Sequence, residues 1–367
     1  MRLLLRGQGA ASMRPRLAFD RPICKVSAMA SGITAADLLT SPVLYPQRLD
    51  AIREALFLVR LDRAAYAHAS FLDDRILEGA QAIGWVPFAP VAGVAPHVRR
   101  RPLHVIFHAG HVGSTLLSRL LDEVPGVLGL REPLPLRSLA EMHDHPSGLG
   151  FAPALETLLA LWARGFDDTH TVILKATSSA GRIAPEVMAA APQARAVYLN
   201  LPAETYIATL LSGDNTVRDL EGHTHERLAR LKRLLGVMID ASGPLSIGEG
   251  AAVAWLAERF AQSRAAALLG PRLLELDFET MLDNVEATLA RVLPHFGLPA
   301  GEAARLAASP VMTRYAKQTD ASYSQQLRRD LLAQTRREQG EEIARGMALL
   351  EQLAGSFPAV AALTGRA

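Results

Sequence analysis

His104-Val-Ile-Phe-His-Ala-Gly-His-Val-Gly-Ser-Thr-Leu-Leu117 decides the fold. Residues 104–108 are a short apolar run with β-branched members, which predicts a strand. Residues 109–113 form a turn with two glycines, Gly110 and Gly113, and Ser114 and Thr115 follow. Leu116, Leu117, Leu120 and Leu121 then recur at helical spacing until Pro125. A strand, a glycine loop with hydroxyls and a helix make a phosphate cradle. The loop N–H groups converge on an anion, and the helix N-terminus adds partial positive charge. A tight strand-to-helix turn without a ligand has the same composition, so this stretch alone leaves both readings open.

The loop narrows the chemistry. A G-x-x-x-x-G-K-[ST] motif places a lysine before the hydroxyl residue, whereas here Gly113 runs straight into Ser114. ATP chemistry would also want a magnesium-binding acid at a second strand end, and Asp277 in Leu273-Leu-Glu-Leu-Asp277 is the best candidate.

The surrounding chain has 367 residues, 49% hydrophobic and 21% charged, which is a globular composition and excludes wholesale disorder. Its 39 basic and 37 acidic residues leave +2, too balanced to hold nucleic acid by bulk charge. The single cysteine, Cys24, excludes a disulfide framework and a cysteine-based zinc site. No apolar run approaches the ~18 residues of a membrane span. Residues 1–30 carry Arg2, Arg6, Arg14 and Arg16 before the first acid, Asp20, without apolar periodicity. They are expected to be a disordered or mis-started extension, since Met29 opens the more orderly Ala30-Ser-Gly-Ile-Thr. The default compartment is the cytoplasm.

Residues 31–101 are expected to be a helical lead-in and linker. Thr34 suits a helix cap, and residues 46–60 carry helical spacing in Leu49, Ile52, Leu56 and Val59. Pro87, Pro90, Gly93 and Pro96, then Arg99, Arg100 and Arg101, lead into the core at residues 102–300. Residues 301–367 form a C-terminal helical arm with a long amphipathic helix over 323–353.

Gly110-His-Val-Gly-Ser-Thr-Leu-Leu117 resembles the 5′-phosphosulfate-binding loop of sulfotransferases. Leu121-Asp-Glu-Val-Pro-Gly-Val127 and Leu130-Arg-Glu-Pro133 resemble the following helix end and acidic loop of the bacterial and protein-tyrosine members. Pro192-Gln-Ala-Arg-Ala-Val-Tyr-Leu199 resembles the strand-then-helix element that binds the 3′-phosphate. Leu274-Glu-Leu-Asp-Phe-Glu-Thr-Met-Leu282, Leu289 and Phe296-Gly-Leu-Pro299 complete the likeness, in family order, over residues 102–299. The resemblance implies a three-layer α/β P-loop fold with N-terminal and C-terminal helical additions. It also implies 3′-phosphoadenylyl sulfate as donor, no metal, and an unknown small-molecule or peptide acceptor.

Carried over residue by residue, the resemblance puts the 5′-phosphosulfate on Gly110, His111, Val112, Gly113, Ser114 and Thr115, with His111 at the loop's basic position. The family's 3′-phosphate arginine falls on Asn200 or Leu201, and its serine on Ala208 or Thr209. Thr209 keeps the hydroxyl, and neither register keeps the arginine. Arg314 and Lys317 are the basic pair expected to replace it, and Phe278 is the ring expected near adenine.

Two residues carry the chemistry. Glu132 follows an apolar strand and precedes Pro133, and ligands of open α/β sheets bind at strand C-termini. It falls where the resemblance implies a glutamate base; the plain alternative is a structural pair with Arg131 or Arg137. Lys175, one of four lysines in the chain, ends Thr171-Val-Ile-Leu-Lys175. The resemblance makes it the lysine beside the sulfuryl group, and the plain alternative is an exposed strand-end lysine. The family's catalytic histidine two positions on is Thr177. His104 and His108 lie too far apart on one strand face to share a metal with His111, His223-Thr-His225 lacks a third anchor, and residues 226–233 suit a solvated helix face. A P-loop kinase using ATP and magnesium and a non-catalytic nucleotide-binding protein remain as alternative functions.

Overall fold

Residues 44–60 form a hairpin, not the helix that their leucine spacing suits. In the computed structural model, which describes residues 35–146, 148–236, 244–315, 318–322 and 324–365, β1 (Leu44–Asp50) pairs antiparallel with β2 (Ala55–Arg60). The Asp50 carboxylate closes the turn by accepting from the Ile52 and Arg53 N–H groups at 3.1 and 2.9 Å. Ile52, on which the helical spacing depends, is 83% exposed at the hairpin tip. β3 (Gln81–Pro87) adds to β2, so the lead-in is a three-stranded sheet with short helices rather than a helical segment.

The central sheet has the order β5-β6-β4-β7-β8, all parallel, from β4 (Leu103–His108), β5 (Val127–Arg131), β6 (Thr171–Lys175), β7 (Ala196–Asn200) and β8 (Leu273–Asp277). β4, β5, β6 and β7 are buried along their whole length, as strands covered on both faces must be. Val105, Phe107, Leu128, Val172 and Tyr198 face one core, which they share with the hairpin and the helices α1 (Leu134–Asp144) and α2 (Phe151–Trp162). Ile106, Ile173, Val197 and Leu199 face the other. That second face is covered by the helix Ser114–Asp122 and by α3 (Ala203–Leu211), α4 (Asp214–Leu235) and α5 (Ile247–Leu269). The result is the expected three-layer α/β architecture.

The C-terminal arm is helical, but the single long helix is two. α6 (Gln325–Glu338) ends at Gln339, and α7 (Gly340–Ser356) follows. Residues 226–233 are not a solvated face either, because Arg227 and Arg230 are buried. The Arg230 guanidinium donates to Glu258 Oε1 of α5 at 2.7 Å, a pairing 28 positions away that periodicity does not reveal. Residues 1–34 and Lys317 lie outside the described residues, as does the Thr34 cap.

One buried arginine ties the lead-in to the sheet. Arg131, fully buried at the end of β5, donates to the Ala69, Tyr66 and Ala67 carbonyls at 2.7, 2.6 and 2.9 Å and pairs with Asp122. Arg131→Met should therefore destabilise the fold by about 3–5 kcal/mol, because it strands a carboxylate and three carbonyls. Urea unfolding measures this, and a loss below about 1 kcal/mol would contradict the account.

Candidate active site

β4 stands between β6 and β7: from β4 the chain builds β5 and β6 on one side of it, then crosses over to build β7 and β8 on the other. Open α/β sheets bind ligands at such a switch point, beyond the strand C-termini. The loop there is tightly wound: Gly110, His111 and Gly113 have φ of +90°, +54° and +70°. Gly113 is the N-cap of the helix Ser114–Asp122, and any Cβ there would fall inside the Phe278 ring. The helix's first N–H groups have no partner within it and face the loop's hollow with the positive end of the dipole. Tyr206 anchors the loop from α3, its hydroxyl donating to the Ala109 carbonyl at 2.7 Å.

The loop opens into a cavity of about 490 Å³, within the size range of small-molecule sites. Gly110, His111, Val112, Gly113, Ser114 and Thr115 line it, as Glu132, Lys175, Thr177, Thr209 and Phe278 do from other elements. Thus the structure gathers the candidates of the loop, of the β5 and β6 ends and of the Phe278 helix around one space.

Glu132 and Lys175 meet through the sheet register. Arg131 of β5 stands opposite Lys175 of β6, and the Glu132 N–H donates to the Lys175 carbonyl at 2.7 Å. The backbone of Glu132 turns left-handed, at φ +51°, an uncommon conformation for a residue with a side chain and one that clusters at functional sites. Its carboxylate Oε1 pairs with Lys175 Nζ. Lys175 is fully buried, which removes the reading of an exposed strand-end lysine, and the partner of Glu132 is neither Arg131 nor Arg137. Glu132 Oε2 makes no hydrogen bond among the described residues.

His108 closes the group from the end of β4. The Gly110 N–H donates to its Nδ1 at 3.0 Å, so the ring proton sits on Nε2 and is donated to the Ala176 carbonyl at 2.8 Å. His108 Nε2 lies 3.8 Å from Glu132 Oε1. Its sequence context offered a metal cluster, and the structure instead uses it to brace the loop as a neutral imidazole.

The positions corresponding to the 3′-phosphate motif make hydrogen bonds within the protein. Asn200 is buried, its amide donating to Gln262 Oε1 at 2.7 Å and its carbonyl accepting from the Leu201 N–H at 2.7 Å. Thr209 reaches the cavity wall while its hydroxyl donates to the Thr205 carbonyl. Arg314 lies in a short strand, Arg314–Tyr315, which pairs with Gln318–Ser322. Asp277, the candidate magnesium ligand, caps the helix Phe278–Asp283, accepting from the Thr280 N–H at 2.9 Å and the Thr280 hydroxyl at 3.1 Å.

Several cavity residues escaped sequence reasoning. Arg328 of α6 stands 5.2 Å from the Phe278 ring centroid and 2.8 Å from Glu279. Phe71 and Arg75 of the lead-in form the opposite wall, the Arg75 guanidinium stacked 3.6 Å over the Phe71 ring. Burial pushes the nearby Asp73 carboxyl up, but hydrogen bonds from Arg75 outweigh it and hold Asp73 below its ordinary range. From α4 come Asp219, which the sequence did not single out, and His223, which it offered only as a metal candidate. The spacing of four between Asp219 and His223 was the one available signal that they share a helix face.

No family model matches this chain, and no curated protein does. Solved structures similar to it include the sulfotransferase domain from the curacin biosynthetic pathway, 14% identical over 70% of this chain and 98% of that one, with a TM-score of 0.36. A Mycobacterium avium sulfotransferase is 12% identical over 66% of this chain and 78% of its own, with a TM-score of 0.37. A mouse sulfotransferase complexed with PAP is 10% identical over 72% of this chain and 93% of its own, with a TM-score of 0.32. What this chain's site can do rests on its own residues.

Gly113→Ala tests the loop. A side chain at this φ and against Phe278 should cost about 1–3 kcal/mol, measured by urea unfolding. A variant as stable as the unmodified protein would contradict the close packing described.

Proposed function

We propose that the protein transfers a sulfuryl group from 3′-phosphoadenylyl sulfate to a hydroxyl or amine acceptor. The observation that carries this reading is the Glu132–Lys175 pair, a carboxylate and a buried ammonium held side by side in the cavity that the glycine loop opens into. The loop at residues 110–115 would take the 5′-phosphosulfate on its N–H groups and on the Ser114 and Thr115 hydroxyls. His111 would add a cationic side chain.

Glu132 would accept the acceptor's proton on its second oxygen as the acceptor oxygen or nitrogen attacks sulfur. The bond from sulfur to the 5′-phosphate oxygen would break, and adenosine 3′,5′-bisphosphate would leave with Lys175 stabilising the charge that develops on that oxygen. Phe278 would offer a face to adenine. Arg328, over that ring, joins Arg314 and Lys317 as a cation for the 3′-phosphate. Against the kinase alternative, the Asp277 Oδ1 is engaged in a helix cap.

The test is Glu132→Gln, which removes the proton acceptor while keeping an oxygen toward the Lys175 ammonium, read on protein shown by circular dichroism to be folded. Turnover of a sulfur-labelled donor should fall ~10²–10⁴-fold with affinity for adenosine 3′,5′-bisphosphate nearly unchanged. A variant that keeps most of its turnover would return Glu132 to a structural role. Binding without transfer in the unmodified protein, over a panel of alcohols, phenols and amines, would favour the non-catalytic alternative.

Arg328→Ala addresses the 3′-phosphate. A charge-assisted contact is typically worth ~1.5–3 kcal/mol, so adenosine 3′,5′-bisphosphate should weaken at least ~tenfold more than adenosine 5′-phosphate. Equal weakening of both nucleotides in calorimetry would remove Arg328 from that role.

A further inference from the structure

The cations around the cavity are nearly all committed. Among the described residues, Lys175 faces Glu132, Arg75 faces Asp73, Arg328 faces Glu279, and Arg227 lies 3.8 Å from Glu258. Arg137 stands exposed in the cavity wall on the Asp73 side. An anion with several negative charges therefore meets a lining whose fixed charges largely cancel, and the histidines decide its sign. His108 is held neutral by the Gly110 N–H on Nδ1.

The His111 and His223 rings both stand at Asp219, and the His223 Nδ1 donates to the Asp219 backbone carbonyl at 2.8 Å. His111 Nε2, in the loop, lies 3.3 Å from Asp219 Oδ2, and His223 Nδ1, one helical turn beyond Asp219 in α4, lies 3.5 Å from Asp219 Oδ1. The loop backbone at His111 is left-handed, at φ +54°, and the contact with Asp219 fixes where that ring stands. We infer that His111, Asp219 and His223 form an anion grip, in which Asp219 is a positioning residue that holds His111 in the loop as its imidazolium and the His223 ring backs Asp219. The inference rests on the nucleotide-donor reading above and adds to it a pH-dependent affinity. With the His111 ring neutral the His111–Asp219 pair carries one negative charge, and with it protonated none, a change that an imidazole makes within roughly pH 5–8.

The neighbours are consistent with this assignment. The hydrogen bond from His111 is the main cause that holds the Asp219 carboxyl down at about 2, against partial burial that pushes it up, with His223 and Arg227 adding to the lowering. Asp219 thus stays a carboxylate throughout the range in which the His111 ring titrates. On α3, Tyr206 is kept neutral by burial, its pKa pushed up beyond any working pH, and its hydroxyl is occupied by the Ala109 carbonyl. Glu258 on α5 is engaged by Arg230 at 2.7 Å.

The experiment is calorimetric titration of the full chain with adenosine 3′,5′-bisphosphate from roughly pH 5.5 to 8.5, for the unmodified protein, Asp219→Asn and Asp219→Glu. Uptake of one proton on binding makes the dissociation constant rise by up to about tenfold per pH unit above the ring's midpoint. The unmodified protein should weaken in this way toward high pH. Asp219→Asn should bind about fivefold or more weakly at pH 7, with its midpoint displaced to lower pH, and Asp219→Glu should restore the profile. Proton resonances of the His111 ring should show the same displacement in the unliganded protein, a shift that a merely structural Asp219 would not produce. Identical pH profiles for the unmodified protein and Asp219→Asn would overturn the triad and leave the donor reading standing. Failure of the unmodified protein to bind the nucleotide at any pH would overturn the donor reading and this inference with it.

Discussion

A lysine ammonium with no solvent exposure has to be neutralised where it stands, and the site is arranged around that requirement. Lys175 ends β6 inside the protein, and Glu132 is the carboxylate that meets it. Taking a lone ammonium out of water costs several kcal/mol even after relaxation, so removing either partner leaves a charge that the fold tolerates poorly. The pair thereby fixes the side chain of a residue whose backbone already sits in a sparsely populated conformation. Strain at Glu132 is compensated by the ion pair and by the N–H bond to the Lys175 carbonyl.

The sheet supplies the rest of the geometry. Because β5, β6 and β4 are adjacent and parallel, their C-terminal ends bring Glu132, Lys175, His108 and the glycine loop to one edge. The lead-in hairpin and its neighbouring helices add Phe71 and Arg75 to this edge, and Arg131 holds them there through three carbonyls. Two helices from the other layer, α4 and α6, close the opposite side with Asp219, His223 and Arg328. The cavity is therefore a product of both layers.

The parts legible in the sequence were those coded locally. The strand, loop and helix at residues 104–121 announce themselves by a change of hydrophobic period around two glycines, and Glu132 and Lys175 stand out as charged residues closing apolar runs. The hairpin at residues 44–60 was not legible, because leucines at helical spacing also fit a half-buried sheet and the turn is set by the Asp50 side chain. Arg227 and Arg230 looked solvated because their partner, Glu258, lies on another helix. Arg328 was hidden within one apparent long helix, whose break at Gln339 brings its first half over Phe278.

The central proposal is that the cavity takes a nucleotide carrying a 3′-phosphate in preference to a metal-assisted triphosphate. Calorimetry with adenosine 3′,5′-bisphosphate in the presence of a chelator, set against ATP with magnesium under the same buffer, tests it most directly. The account predicts saturable binding of the bisphosphate in the chelator, tighter by about tenfold or more than that of magnesium–ATP. Preferential binding of magnesium–ATP, with the bisphosphate weak or silent, would contradict it.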